Sequence, residues 1–151
     1  MIDVLRDIGL IYRSLDAIAN VEFREFNLTR GQYLYLVRIV ENPGIIQDRL
    51  ADLIKVDRTT VARAVSKLEA NALIEKQLDE KNKKIKKLFP TVKGEKIAAI
   101  IIKENQYSNQ IALDGLSAAE RIQLSQLLEK VKKNVANDWE QLKQGQKRNY
   151  L

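Results

Sequence analysis

Apolar positions in the first two dozen residues recur every three or four places, at Leu5, Ile8, Ile11, Tyr12, Leu15, Ile18 and Val21. With no proline and no glycine after Gly9, the spacing predicts one long amphipathic helix from Ile2 to about Glu25. Its stripe is expected to be covered by distant sequence or by a second copy of the chain. After a break at Asn27, the run Leu28-Thr29-Arg30-Gly31-Gln32-Tyr33 has the form of a capping box, with Thr29 as N-cap, Gln32 three residues on, and Leu28 and Tyr33 as a hydrophobic staple. The second helix would bury Tyr33, Leu34, Leu36, Val37 and Val40 and stop at Asn42-Pro43-Gly44.

The middle of the chain is punctuated more finely. Ile45-Ile46 suits a brief strand, and a short helix from about Gln47 to Ile54 would bury Leu50, Ala51, Leu53 and Ile54. Lys55-Val56-Asp57 then separates it from a basic helix running to Ala70. In that helix Val61, Ala64, Val65 and Leu68 share one face, and Thr59, Arg63, Ser66 and Lys67 share the other. Three residues are the length of the turn in a helix-turn-helix. Beyond Ala70 the pattern alternates: Leu73–Leu78 and Ile85–Phe89 read as two strands around a lysine-rich turn, Asp79 to Lys84, with Pro90 closing the hairpin.

Two long helices follow. Thr91 caps one from Val92 to about Leu113, with Ile97, Ile100, Ile101 and Ile111 apolar, and Asp114-Gly115 ends it. Ser117 and Glu120 form a capping box for a last helix reaching about Gln144. Its stripe of Leu124, Leu128, Val131, Val135, Trp139 and Leu142 is more apolar surface than so small a domain can bury alone, which predicts dimerisation. The fold class is therefore mainly α with a small β-hairpin wing: a winged helix-turn-helix with long terminal dimerisation helices. Residues 1–28 and 92–151 would form the dimerisation domain and residues 29–91 the winged lobe.

Composition narrows the chemistry. The 151 residues contain neither cysteine nor histidine. That removes disulfides, thiol sensing, thiolate nucleophiles, imidazole bases and the usual zinc or iron ligands. No arrangement of the remaining carboxylates, lysines, tyrosines and hydroxyls has the form of a catalytic constellation, so neither an enzyme nor a cofactor is expected. The N-terminus shows no secretion signal and no apolar run is long enough to span a bilayer, which gives the expectation of a cytoplasmic protein.

The net charge of +6 and the pI near 9.5 favour a polyanionic partner. From Ile45 to Pro90 there are eleven Lys or Arg against seven acids, so most of the net charge lies in under a third of the chain. The exposed face of the basic helix offers cations and hydroxyls without a carboxylate, which suits a DNA groove. Lys81, Lys83 and Lys84 at the hairpin tip would reach phosphates or the minor groove. The alternative is a winged-helix protein-interaction module that does not bind DNA, with Thr59, Arg63 and Lys67 meeting acidic side chains.

The order of elements resembles that of the MarR family of bacterial transcriptional regulators over nearly the whole chain. The residues carrying the resemblance are Leu28-Thr29 with Gln32-Tyr33, the Glu41-Asn42-Pro43-Gly44 break, Leu50-Ala51, and Thr59-Thr60-Val61 with Arg63, Val65 and Leu68-Glu69. Leu73-Ile74 and Thr91-Val92-Lys93-Gly94 complete it. It implies a homodimer whose first, fifth and sixth helices pair beneath two winged lobes and which binds double-stranded DNA at a palindromic operator. It further implies that Arg58, Thr59, Thr60 and Arg63 approach bases and phosphates and that Gln47 contacts phosphate. On the basic helix itself, Lys67 is expected to reach phosphate only. Asp57 would cap the basic helix.

Two positions depart from the family pattern. Where the wing usually carries Asp-Arg, this chain has Asn82 followed by Lys83 and Lys84, which predicts phosphate contact with weaker narrow-groove readout. Ala72 stands where Gly often ends the recognition helix, with Asn71 expected to take the left-handed conformation instead. The resemblance also implies a site for a small aromatic or anionic effector, for which Tyr12, Tyr33, Tyr35 and Arg38 are the candidate liners.

Overall fold

The computed structural model describes residues 3–29 and 31–150. Ile2, the expected start of the first helix, and Arg30, inside the expected capping box, lie outside the described residues. The described residues pack as two units, one reaching Ser108 and the other beginning at Asn109.

Helix α1 spans Val4–Glu22, with Asp3 accepting from the Arg6 amide at 3.1 Å, and a 3-10 turn, Arg24–Phe26, follows. The first helix is thus shorter than the expected Ile2–Glu25. Only Ala19 of α1 is buried, whereas Leu5, Ile11, Tyr12, Leu15, Ile18 and Val21 are exposed. Helix α2, Gln32–Glu41, does not begin on the expected capping box. Its N-cap is Gly31 in the left-handed conformation, with no side-chain cap, and Gln32 is buried instead of reaching back to Thr29. The glycine lets the chain turn between Thr29 and the helix, which a box closing on Gln32 would not allow. The buried face of α2 is Tyr35, Leu36, Val37 and Ile39, so it is rotated toward Tyr35 and Ile39 from the expected face.

Strand β1 (Ile45–Ile46), α3 (Gln47–Ile54), α4 (Arg58–Ala70), β2 (Ile74–Leu78) and β3 (Lys86–Pro90) complete the winged portion. The antiparallel sheet has the order β1-β3-β2, with Ile45 opposite Leu88 and Lys76 opposite Leu88 on the other side. Leu50 of α3, Val61, Val65 and Leu68 of α4, and Leu88 of β3 are fully enclosed. Each contributes about 1.5–3 kcal/mol of apolar transfer, and together they fix α4 against the lobe by its inner face. Leu53, expected inside, is 49% exposed because α3 buries only the Leu50-Ala51 side.

Several helix ends close in the same way, through left-handed residues. At the end of α4, the Leu73 amide returns to the Leu68 carbonyl and the Ala72 amide to the Glu69 carbonyl, both at 2.9 Å. This is a Schellman motif, and Leu68 and Leu73 supply its buried apolar pair. The left-handed residue is Ala72 (φ 57°), not Asn71, whose φ is −83°. Lys55 (φ 64°) ends α3, with the Lys55 and Val56 amides both directed to the Ala51 carbonyl. A lysine therefore occupies the position where such turns often carry glycine.

Helix α5, Val92–Ala112, begins against this junction. Thr91 Oγ1 accepts from the Gly94 amide at 3.0 Å and donates to the Ala72 carbonyl at 2.7 Å. A Cβ on Gly94 would lie 1.9 Å from the Leu73 carbonyl oxygen, so only glycine permits the approach. Ile97 and Ile101 are buried, whereas Ile100 and Ile111 are exposed. In the second unit, α6 (Ala118–Lys143) carries the expected Ser117–Glu120 capping box in both directions. None of the described α6 residues is buried, and Leu124, Leu128, Val135, Trp139 and Leu142 stand exposed.

Candidate nucleic-acid interface

The site is built on the outward face of α4. Asp57 starts the helix as expected: one carboxylate oxygen accepts from the Thr60 amide at 2.8 Å and the other from the Thr60 hydroxyl at 2.6 Å. These bonds to Thr60 hold the Asp57 carboxyl below the usual carboxylate range. The cap also commits the Thr60 hydroxyl proton to Asp57, leaving Thr60 only lone pairs to offer outward. Thr59, Ala62, Arg63, Ser66, Lys67 and Ala70 line one shallow exposed groove. Arg63 and Lys67 have no ion-pair partner among the described residues, so their charges are available to an incoming anion. Arg58 differs: its Nε lies 3.3 Å from Asp48 at the start of α3. Both side chains are largely exposed, and such a pair exchanges readily for phosphate. Gln47, the first residue of α3, is half-buried beside it.

The wing turn is braced by its own polar groups. Asp79 accepts from the Lys81 and Asn82 amides at 2.9 and 2.8 Å and pairs with Lys87 at 2.7 Å. The Lys87 partnership and those amides hold the Asp79 carboxyl low, and Asp79 in turn raises the Lys87 amine. Asn82 Oδ1 accepts from the Lys84 amide at 3.1 Å. Lys81, Lys83 and Lys84 are left exposed on a turn whose backbone is tied down. Sequence reasoning did not find Asp48, Asp79 or Lys87 in these roles. An acid–base pair distant along the chain leaves no periodic trace, although Asp79 at a strand end carries the usual turn signal.

The candidate effector residues are only partly brought together. Tyr33 donates to Asp16 of α1 at 3.3 Å, and its ring lies 5.2 Å from that of Phe23. Burial first, then Asp16, Tyr12 and Glu104, push the Tyr33 phenol up to about 12. Tyr35 is buried and raised mainly by that burial, then by Asp57 and Tyr12. Tyr12 itself is 66% exposed. Arg38 is held by Glu41 at 2.6 Å in the last turn of α2. The tyrosines thus share a neighbourhood with three carboxylates, Asp16, Glu104 and Asp57, and the one candidate cation, Arg38, pairs with Glu41. Asp16 and Glu104 went unnoticed in the sequence, where each sits as an ordinary polar residue of a helix.

No group of three or more carboxylates that could hold a metal ion occurs among the described residues, which also contain no helix long and apolar enough to cross a membrane. A helix-turn-helix whose second helix presents exposed cations, followed by a lysine-tipped hairpin that pairs with a short strand ahead of it to make a three-stranded sheet, defines a winged helix-turn-helix protein.

Comparison with known proteins makes the assignment specific. Residues 28–86 match the model of the MarR family. The chain is 57% identical over 150 residues to the HTH-type transcriptional regulator YybA of Bacillus subtilis (strain 168), covering 99% of this chain and 100% of that one. Among solved structures it is similar to a putative MarR family transcriptional regulator from Listeria monocytogenes complexed with a 26mer DNA. The identity there is 55% and the TM-score 0.94, over 99% of this chain and 100% of the other. A structure of the transcriptional regulator SlyA is 57% identical with a TM-score of 0.91, over 93% and 99%. The chain belongs to the MarR family of transcriptional regulators.

Proposed function

We propose that this regulator acts as a homodimer that reads a palindromic operator in double-stranded DNA and represses the gene it overlies. The observation carrying the reading is the exposed Arg63 and Lys67, without an ion-pair partner among the described residues, beside Thr59 on a helix anchored from behind by Val61, Val65 and Leu68. The Listeria relative bound to DNA supports it. In this reading Arg63, Thr59 and Thr60 address bases, and Arg58 leaves Asp48 for DNA. Gln47, Lys67, Lys81, Lys83 and Lys84 meet phosphates. Residues 29–91 form the DNA-binding lobe. Residues 1–28 and 92–151 form the dimerisation domain, a role consistent with the uncovered apolar positions of α1 and α6. The protein works in the cytoplasm and without catalysis.

An effector, in the same reading, binds near Tyr12, Tyr33 and Tyr35. Asp16 and Glu104 disfavour a strongly anionic compound there, so an aromatic ligand without a strong negative charge fits best. Footprinting on the native upstream DNA tests the DNA reading. It should give two protected segments about one helical turn apart, about 34 Å, on the same face of the duplex. Uniform coating of the probe, or no protection, would contradict it.

A further inference from the structure

The outward end of the recognition helix is tied to two other elements at one point. Asn27, left-handed at the end of the 3-10 turn, donates through Nδ2 to Asn71 Oδ1 at 3.4 Å. Lys93, in the first turn of α5, donates through Nζ to the Asn71 carbonyl at 3.1 Å. Thr91 takes the neighbouring Ala72 carbonyl at 2.7 Å, and Gly94 lets α5 pass against the Leu73 carbonyl. The Asn71 amide Nδ2 is buried with no acceptor among the described residues, so its side chain is gripped from one side only. The shorter, charge-assisted bond from Lys93 is the stronger directional tie, and it places a cation at the negative end of the α4 dipole.

We infer that Lys93, with Asn27 as a weaker second tie, is a positioning residue that sets the angle of α4 to α5 and thereby the spacing of operator half-sites the dimer accepts. The inference rests on the proposed DNA reading. The apolar contacts beneath α4 are non-directional, whereas hydrogen bonds at its end fix orientation. Helix α4 has 13 residues, so it is about 20 Å long. A swing of about 10° about its capped start moves its far end about 3.4 Å, one base-pair rise. Because α5 continues out of the lobe, that angle is passed on to the separation of the two recognition helices in a symmetric dimer.

The test uses full-length protein and the palindrome that the wild type enriches from a random duplex library. The same half-sites with one central base pair added or removed serve as comparison. Lys93→Met should reduce the wild-type preference for the natural spacing at least about fivefold, leaving half-site base discrimination and the salt slope unchanged, while Lys93→Arg restores the preference. Asn27→Gly keeps the left-handed backbone and should shift the preference less, in the same direction. It decides the matter if Lys93→Met fails to fold.

An unchanged spacing preference in the folded variants overturns the inference. So does a uniform loss over all spacings with a salt slope lower by about one, which would make Lys93 a phosphate contact. If the wild type enriches no sequence, it is the DNA reading that fails, and the joint then has no register to set.

Discussion

Ala72 occupies a conformation that an L-residue adopts reluctantly, and replacing it should raise stability although no contact is gained. Its φ of 57° is fixed from both sides. Leu68 and Leu73 must both be buried, and the two 2.9 Å Schellman bonds then leave no other residue to make the turn. A left-handed residue carrying a Cβ costs about 1–2 kcal/mol. Ala72→Gly removes that cost but returns about 0.4–1 kcal/mol through the freer unfolded chain. Ala72 is exposed, so little packing is lost with its methyl group. The net expectation is a gain of about 0.5–1 kcal/mol, or about 1–4 °C in Tm for a domain of this size. Thermal and urea unfolding at one fixed protein concentration would measure it, because an associating protein's midpoint shifts with concentration. Ala72→Val is the opposing control and should destabilise, since a branched side chain tolerates this region least. A loss of stability in Ala72→Gly with no loss in Ala72→Val would refute the assigned backbone geometry and the closure of α4 argued from it.

Other substitutions probe the interface, the junction and the tyrosine cluster. Arg63→Ala should reduce discrimination between operator and mismatched duplex by about 1–3 kcal/mol, whereas Lys83→Ala should weaken all duplexes alike and flatten the salt slope by about one unit. Anisotropy titrations over several salt concentrations separate the two. Gly94→Ala should cost about 3 kcal/mol or more in urea unfolding, because the new Cβ meets a backbone carbonyl that cannot step aside. Tyrosine absorbance in alkali should show one phenol titrating near 12 that disappears in Tyr33→Phe. Because the folded-state value is raised, the stability tied to protonated Tyr33 is complete below pH 10 and is lost as pH rises toward 12. Asp16→Asn should lower the Tyr33 value only part of the way, since burial is the larger cause.

What could be read from the sequence divides along the reach of the forces involved. Local chemistry was legible. The Asp57 cap, the Ser117–Glu120 box and the span of α3 are set by residues within a turn of one another. The Thr29–Gln32 box failed on an equally local signal, Gly31, whose left-handed turn starts α2 after the expected cap. The left-handed position falls on Ala72 although intrinsic tolerance favours Asn71, because the burial of Leu68 and Leu73 fixes the register one residue later. Leu53 and Tyr35 were misplaced for a related reason: period alone gives the width of an apolar stripe, and only the partner helices decide which edge of it is covered. Within the candidate interface, the cations on α4 and the wing were visible as charge on one helical face and one turn. The Asp48–Arg58 pair and the Asn27–Asn71–Lys93 joint depend on tertiary placement of residues far apart in the chain.

Helix α4 and the wing together should recognise a particular DNA sequence. Equilibrium anisotropy with the protein's own upstream duplex and a base-shuffled duplex of equal length, at about 0.15 M salt, tests it most directly. Affinity for the native duplex should be higher by about 10³-fold or more. Equal affinity for the two duplexes would contradict it.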